Sequence, residues 1–140
     1  MAITQTVCTS FKKELLEGVH IFGTHDFKIA LYTNTANLDA DTTVYTTDNQ
    51  VADGNGYTAP GVLLTTVTPS SGDGVGFVTF SNATWASSSF TARGALIYND
   101  TQGDKAVMVL DFGANKTSNN STFTVAMPAS TASTALIRIT

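Results

Sequence analysis

Apolar and polar positions are most informative between Phe90 and Phe112, where the chain reads FTARGALIYNDTQGDKAVMVLDF. Two apolar runs, Ala92–Tyr98 and Lys105–Phe112, flank the link Asn99-Asp100-Thr101-Gln102-Gly103-Asp104, which has the composition of a turn. In the second run Ala106, Met108, Leu110 and Phe112 share one face, while Val107 and Val109 share the other with Asp111. A strand that is apolar on both faces belongs inside a packed sheet. The pattern therefore predicts a β-hairpin at the centre of the core.

Around this hairpin the same alternation predicts further strands. Phe27-Lys28-Ile29-Ala30-Leu31-Tyr32-Thr33 places Phe27, Ile29 and Leu31 on one face. Val62–Val67, Val75–Phe80, Ser121–Met127 and Ala135–Ile139 read the same way, and Ser70-Ser71-Gly72-Asp73-Gly74 reads as a hairpin tip. Asn82–Trp85 begins a loop into the central hairpin, with Trp85 expected to be largely buried. Ahead of these strands, residues 1–9 are small and polar and read as an arm outside the core. Ser10–Gly18 reads as a short helix, capped by Ser10, ended by Gly18, with Phe11, Leu15 and Leu16 on one face. So short a helix is stable only when docked. The segment from Asn34 to about Pro60 is long and polar, anchored by Val44, Tyr45 and Val51, and such loops are either functional or poorly ordered.

Short strands at roughly ten-residue intervals predict an all-β fold, a β-sandwich of which the jelly roll is one form. The expected organisation is an N-terminal arm and short helix over residues 1–25 and a β-sandwich domain over residues 26–140. Composition agrees: of 140 residues, 42% are hydrophobic and only 13% charged, and Thr and Ser are abundant. A net charge of −4 with no basic stripe argues against a nucleic-acid partner. The opening residues lack a basic head followed by an apolar run, so no signal peptide is expected, and no apolar stretch is long enough to span a membrane. The single cysteine, Cys8, allows no internal disulfide and reads as a small apolar residue near the N-terminus rather than a reactive thiol.

Residues for chemistry are scarce. His20 and His25 are five apart, a spacing natural to neither a helical nor a strand pair of metal ligands, and no third ligand is near. Asp39, Asp41, Asp53 and Asn55 do not fit a calcium loop closed by a bidentate Glu. No nucleophile elbow and no phosphate loop is present; Gly72–Gly76 is better explained as a turn. Arg93 stands alone in an apolar run, and Asp111 on the paired strand is its candidate partner in a structural ion pair. The expectation is a protein that is not an enzyme, with no catalytic residues, cofactor or metal.

Three stretches carry a resemblance. Cys8-Thr9-Ser10-Phe11-Lys12, followed by Glu14-Leu15-Leu16 and Gly18-Val19-His20, is similar to the opening of a group of small virion structural proteins of tailed bacteriophages, as is Phe27–Thr33. The strongest part is Phe90–Asn99, followed by Ala106–Gly113 and the Ala135–Ile139 end. The resemblance implies a capsid cement or decoration protein in the virion, assembled in the host cytoplasm. It would be a dimer or trimer holding major capsid proteins together. A neck or tail adaptor is the alternative. A virion-surface carbohydrate-binding module is a second, and would stack sugars on Tyr32, Tyr45, Tyr57 or Trp85. The interface residues expected from residues 1–25 and the 34–60 segment are Phe11, Leu15, Leu16, Tyr45 and Tyr57.

Overall fold

A computed structural model describes residues 2–140. Along it run β1 (Thr6–Val7), α1 (Thr9–Leu16), β2 (Phe27–Tyr32), β3 (Val62–Leu63), β4 (Thr66–Gly72), β5 (Val75–Phe80), β6 (Ala83–Ser88), β7 (Thr91–Asn99), β8 (Lys105–Thr117), β9 (Ser121–Val125) and β10 (Ile137–Ile139), with a 3-10 turn at Asp100–Gln102. The fold is all-β and sandwich-like, with one short helix among the described residues. The strands divide into a five-stranded sheet ordered β1-β8-β7-β2-β3, a three-stranded sheet ordered β10-β5-β4, and the pair β6-β9.

The hairpin read from the sequence is the middle of the large sheet. Ala95 pairs with Leu110, Leu96 with Val109 and Ile97 with Met108, and β2 lies on the other side of β7. Both faces of β7 and of the first half of β8 are buried: Phe11 of α1, Phe80 of β5 and Phe22 pack on the face that carries Phe27, while the 34–60 segment, with Tyr45 stacked on Tyr98, and Ile3 beside Gly94 cover the other. The predicted strand Val62–Val67 is two strands. Val62–Leu63 pairs with β2, whereas Thr66 pairs with Phe80 of β5, so the chain changes sheets at Leu64 and Thr65. Alternation marks which residues face inward, not which sheet they join. Ser70–Gly72 are part of β4, leaving Asp73 and Gly74 as the tip.

Residues 83–88 are a strand, not the expected loop. Ala83 and Trp85 point inward and pair with Val125 and Phe123. Their short, Ser-rich sequence carries little β signal by itself, and the partner strand lies far along the chain. Trp85 is buried among Tyr57, Phe90 and Phe123.

The N-terminal residues also differ from expectation. They are not an arm outside the core: β1 pairs with β8, Ile3 bridges Leu38, and Ile3 and Cys8 are buried in the same apolar cluster as Phe27 and Val107. Two apolar side chains among polar neighbours are enough when β8 offers an unpaired edge. Burial, then the carboxylates of Asp39 and Glu14, push the Cys8 thiol up to about 11.

The 34–60 segment is pinned at several points. Its Tyr45 N–H donates to Asp104 O at 2.9 Å, and Val51 N–H donates to Leu31 O at 2.9 Å. At its end Gly61 adopts φ +102°, and a Cβ there would meet Ile29 O at 1.9 Å. Only glycine lets the returning chain lie this close to β2.

Candidate interaction surface

Helix α1 is built with one face for the core and one left outside. Its N-cap is Cys8 rather than the expected Ser10, and no side chain caps the first turn. The Ser10 hydroxyl is buried without a partner. At the other end Gly18, at φ +74°, closes a Schellman motif: Gly18 N–H donates to Leu15 O at 3.2 Å and Val19 N–H to Glu14 O at 2.9 Å. Phe11 turns inward, its ring 4.8 Å from that of His20 and 6.1 Å from that of Phe22.

Phe11 is 1% exposed, so it cannot reach a neighbouring molecule; its place in the expected interface is corrected to the protein's own core. The same correction applies to Tyr57, also 1% exposed. It was expected on a polar loop, but its hydroxyl accepts from Leu31 N–H at 3.0 Å and from Gln50 Nε2 at 2.6 Å, which draws the ring inside. Leu15 is half-buried against the core, and Leu16 is 91% exposed. Ile21 and Ile139 are exposed as well, at 49% and 59%. Beside α1 lies an apolar concavity of about 220 Å³ whose walls include Leu15, Phe22, Phe77, Val78, Ile137 and Ile139. Leu15 and Ile139 line this concavity, and Leu16 and Ile21, outside its lining, are further apolar side chains that lack cover. Ile21 does not stand out in the sequence, and Ile139, which the sequence places with Ile137 away from an outward Arg138, is exposed while Ile137 is buried, since exposure is decided by what packs over a side chain.

A second concavity, of about 560 Å³, opens between β8 and β9, with Gln5, Phe112, Lys116, Phe123 and Met127 among its walls. Its lining is mixed, polar and apolar, and one cation, Lys116, stands in it.

The four tyrosines form a group that ties the 34–60 segment to the large sheet. Tyr45 stacks on Tyr98 at 4.7 Å and its hydroxyl donates to Gln50 Oε1 at 2.6 Å. Tyr32 donates to Thr46 O at 2.6 Å and Tyr98 to Pro60 O at 2.7 Å. Burial raises all four phenols above their ordinary value. Tyr45, half-buried, retains some exposure, but Tyr32, Tyr57 and Trp85 lie inside, so no sugar-stacking platform can be made from those three.

Arg93 Nε lies 3.1 Å from Asp111 Oδ1. Asp111 stands opposite Gly94, and Arg93 occupies an irregularity in the β7–β8 ladder. Asp111 also accepts from Gly113 N–H at 2.9 Å; this bond first, and Arg93 second among the lowering causes, hold its carboxyl below the usual range. Removing Arg93 is expected to cost about 1 kcal/mol, because both partners retain contact with water. The folded value being lowered, the contribution is complete above about pH 4 and is lost as the pH falls through it. Urea titrations of wild type and Arg93→Ala at neutral and strongly acid pH check this: the gap between them should close in acid. Equal stability at neutral pH would refute a structural ion pair.

Among the described residues, no group of three or more His, Cys, Asp or Glu side chains is placed to hold a metal ion, and no helix is long and apolar enough to cross a membrane. His20 and His25, unremarkable as a sequence pair, converge on Asn99, with both Nδ1 atoms within 3.0 Å of its Nδ2. Asn99 escaped sequence reading as a site because a hairpin-turn Asn reads first as a turn residue. Comparison with known families, with characterised proteins and with solved structures finds no match.

Proposed function

We propose that this protein is a structural component of a tailed-bacteriophage virion, a capsid cement or decoration protein that bridges major capsid proteins. The observation that carries the reading on the molecule is apolar surface without cover: Leu16 at the end of α1, 91% exposed, and an apolar concavity lined by Leu15 of α1 and by Ile139. In a charge-poor chain this is a surface suited to permanent contact rather than to solvent. The similarity of Cys8–His20, Phe27–Thr33 and Phe90–Asn99 to small tailed-phage virion proteins supplies the setting. On a lattice, modest contacts per subunit add up over many copies.

Quantitative mass spectrometry of purified virions against the major capsid protein tests the reading. A cement protein should be present at a copy number comparable to that of the major capsid protein. A single ring's worth of copies would replace the reading with a neck or tail adaptor, and absence from the particle would end it. Leu16→Asp is expected to leave stability within about 0.5 kcal/mol of wild type, since the side chain is outside the core. The same substitution should reduce incorporation into particles at least several-fold. Unimpaired incorporation would remove Leu16 from the contact.

A further inference from the structure

The side chains between α1 and the turn of the central hairpin form a chain whose donors and acceptors can be assigned one by one. Asn99 Oδ1 accepts from the backbone N–H of Thr101 at 3.1 Å and of Gln102 at 3.3 Å. Backbone amides only donate, so the amide of Asn99 has one permitted orientation, with Nδ2 facing the histidines. Nδ2 lies 2.9 Å from His20 Nδ1 and 3.0 Å from His25 Nδ1. Its two hydrogens serve the two rings, and both Nδ1 atoms must be bare acceptors.

Two further contacts, at Glu14 and at the Ile21 N–H, agree with that assignment. His20 then carries its proton on Nε2, which faces Glu14 Oε1 at 2.9 Å. His25 Nδ1 accepts a second bond, from Ile21 N–H at 3.2 Å, so its proton is also on Nε2. Gln102 Nε2 lies 3.3 Å from that atom, donor facing donor, so this contact adds no hydrogen bond to the cluster. His20 and Asn99 are both buried, so water cannot stand in for a lost bond.

We infer that this Asn99-centred cluster is a proton-sensitive clasp that holds α1 and residues 19–26 against the central hairpin when both rings are neutral and releases residues 19–26 when they take up a proton. A second proton on either ring goes to Nδ1 and sets N–H against the N–H of Asn99. Asn99 cannot turn over, because its other end would then set N–H against Thr101 and Gln102. At His25 the conflict is double, since Ile21 N–H also points at Nδ1.

The charged groups around the clasp do not relieve the conflict. Glu14 of α1 favours a charge on His20 but contacts it at Nε2, away from Asn99. Asp26 adjoins His25 in sequence, and its backbone N–H is tied to Thr101 Oγ1 at 2.8 Å. Asp100, on the turn, faces Lys28 of β2 at 3.5 Å, and Glu17 pairs with Lys13 along α1. Release would loosen Phe22, which with Leu15 lines the apolar concavity.

Amide hydrogen exchange on the intact protein, expressed as protection factors between about pH 7.5 and pH 5, tests the clasp. Protection at Ile21, His25 and Asp26 should fall about tenfold or more in acid, the equivalent of a net hydrogen bond or more. Protection at Ile97 and Val109, inside the sheet, should not change. In Asn99→Asp a carboxylate keeps one oxygen on Thr101 and Gln102 and offers the other to both Nδ1 atoms, so it accepts from protonated rings. That variant should hold or gain protection at His25 and Asp26 in acid, though not at Ile21, whose N–H still meets a protonated His25 Nδ1. A flat profile in the wild type, or the same acid loss at His25 and Asp26 in Asn99→Asp, overturns the inference. If Asn99→Asp does not fold, His25→Gln decides: its acid loss at Ile21 should shrink severalfold, and an undiminished loss overturns the role of His25.

Discussion

Between pH 9 and about pH 11.5 this protein is expected to unfold in one cooperative step, with tyrosinate absorbance rising as the sheet signal in circular dichroism falls. The cause is the number of protons held in the core. Tyr32, Tyr57, Tyr98 and Cys8 are all within about one per cent of full burial, and burial is the first cause raising each of them. An unfolded chain gives up its thiol proton near pH 8.5 and its phenol protons near about pH 10. The folded chain keeps them, so it binds more protons than the unfolded chain throughout this range.

The sign follows directly: the contribution is complete below the unfolded values and is lost as the pH rises towards the folded ones. Each such group then costs up to about 1.4 kcal/mol per pH unit. At pH 11 Tyr32, Tyr98 and Cys8 together remove about 6 kcal/mol, and Tyr57 adds in the same direction. Tyr45, which keeps water contact, adds less. Ordinary domains have only about 5–15 kcal/mol to lose. Tyrosines that titrate smoothly near pH 10 while the circular dichroism stays native would show that these phenols are not held as described.

Phe27→Ala is expected to destabilise the fold by about 3–5 kcal/mol and to lower the melting temperature by roughly 10–15 °C. Phe27 is fully buried at the start of β2, and its ring is stacked on that of Phe22 at 4.5 Å with an interplanar angle of 1°. Phe80 of β5 lies 5.8 Å away and His20 6.4 Å away. The ring thus joins the large sheet, the three-stranded sheet and the segment after α1. A cavity there cannot be closed by one element moving, because the others are held by their own ladders. Phe22→Ala, at a half-buried position on the rim, should cost clearly less. Thermal denaturation of the two variants gives the comparison, and a loss under about 1 kcal/mol for Phe27→Ala would contradict this account of the core.

What could be read from the chain depended on how local its cause was. The hairpin of Ala92–Tyr98 and Lys105–Phe112 was legible because both strands and the turn sit within one continuous stretch, and every second residue states which face it prefers. The inward faces of β2 and β9, and a helix ended by Gly18, were legible for the same reason. Arg93 and Asp111 could be named as a pair because each stood alone among apolar neighbours, although the register that sets Gly94 opposite Asp111 came from the fold. At the candidate surface, Leu15 and Leu16 were named together with Phe11 from one helical pattern. Packing alone decides that Phe11 is inside and Leu16 outside.

The sequence by itself determined the class of fold and its central hairpin, since alternation and turn chemistry act between residues close along the chain. The tertiary structure alone decided the rest. It divided Val62–Val67 between two sheets, placed Ile3 and Cys8 inside, drew Tyr57 of the 34–60 segment into the core, and brought His20 and His25 onto Asn99 across more than seventy residues of chain. Those outcomes depend on which distant surface is available to cover a side chain or satisfy a polar group, and that is a property of the assembled fold rather than of any window along it.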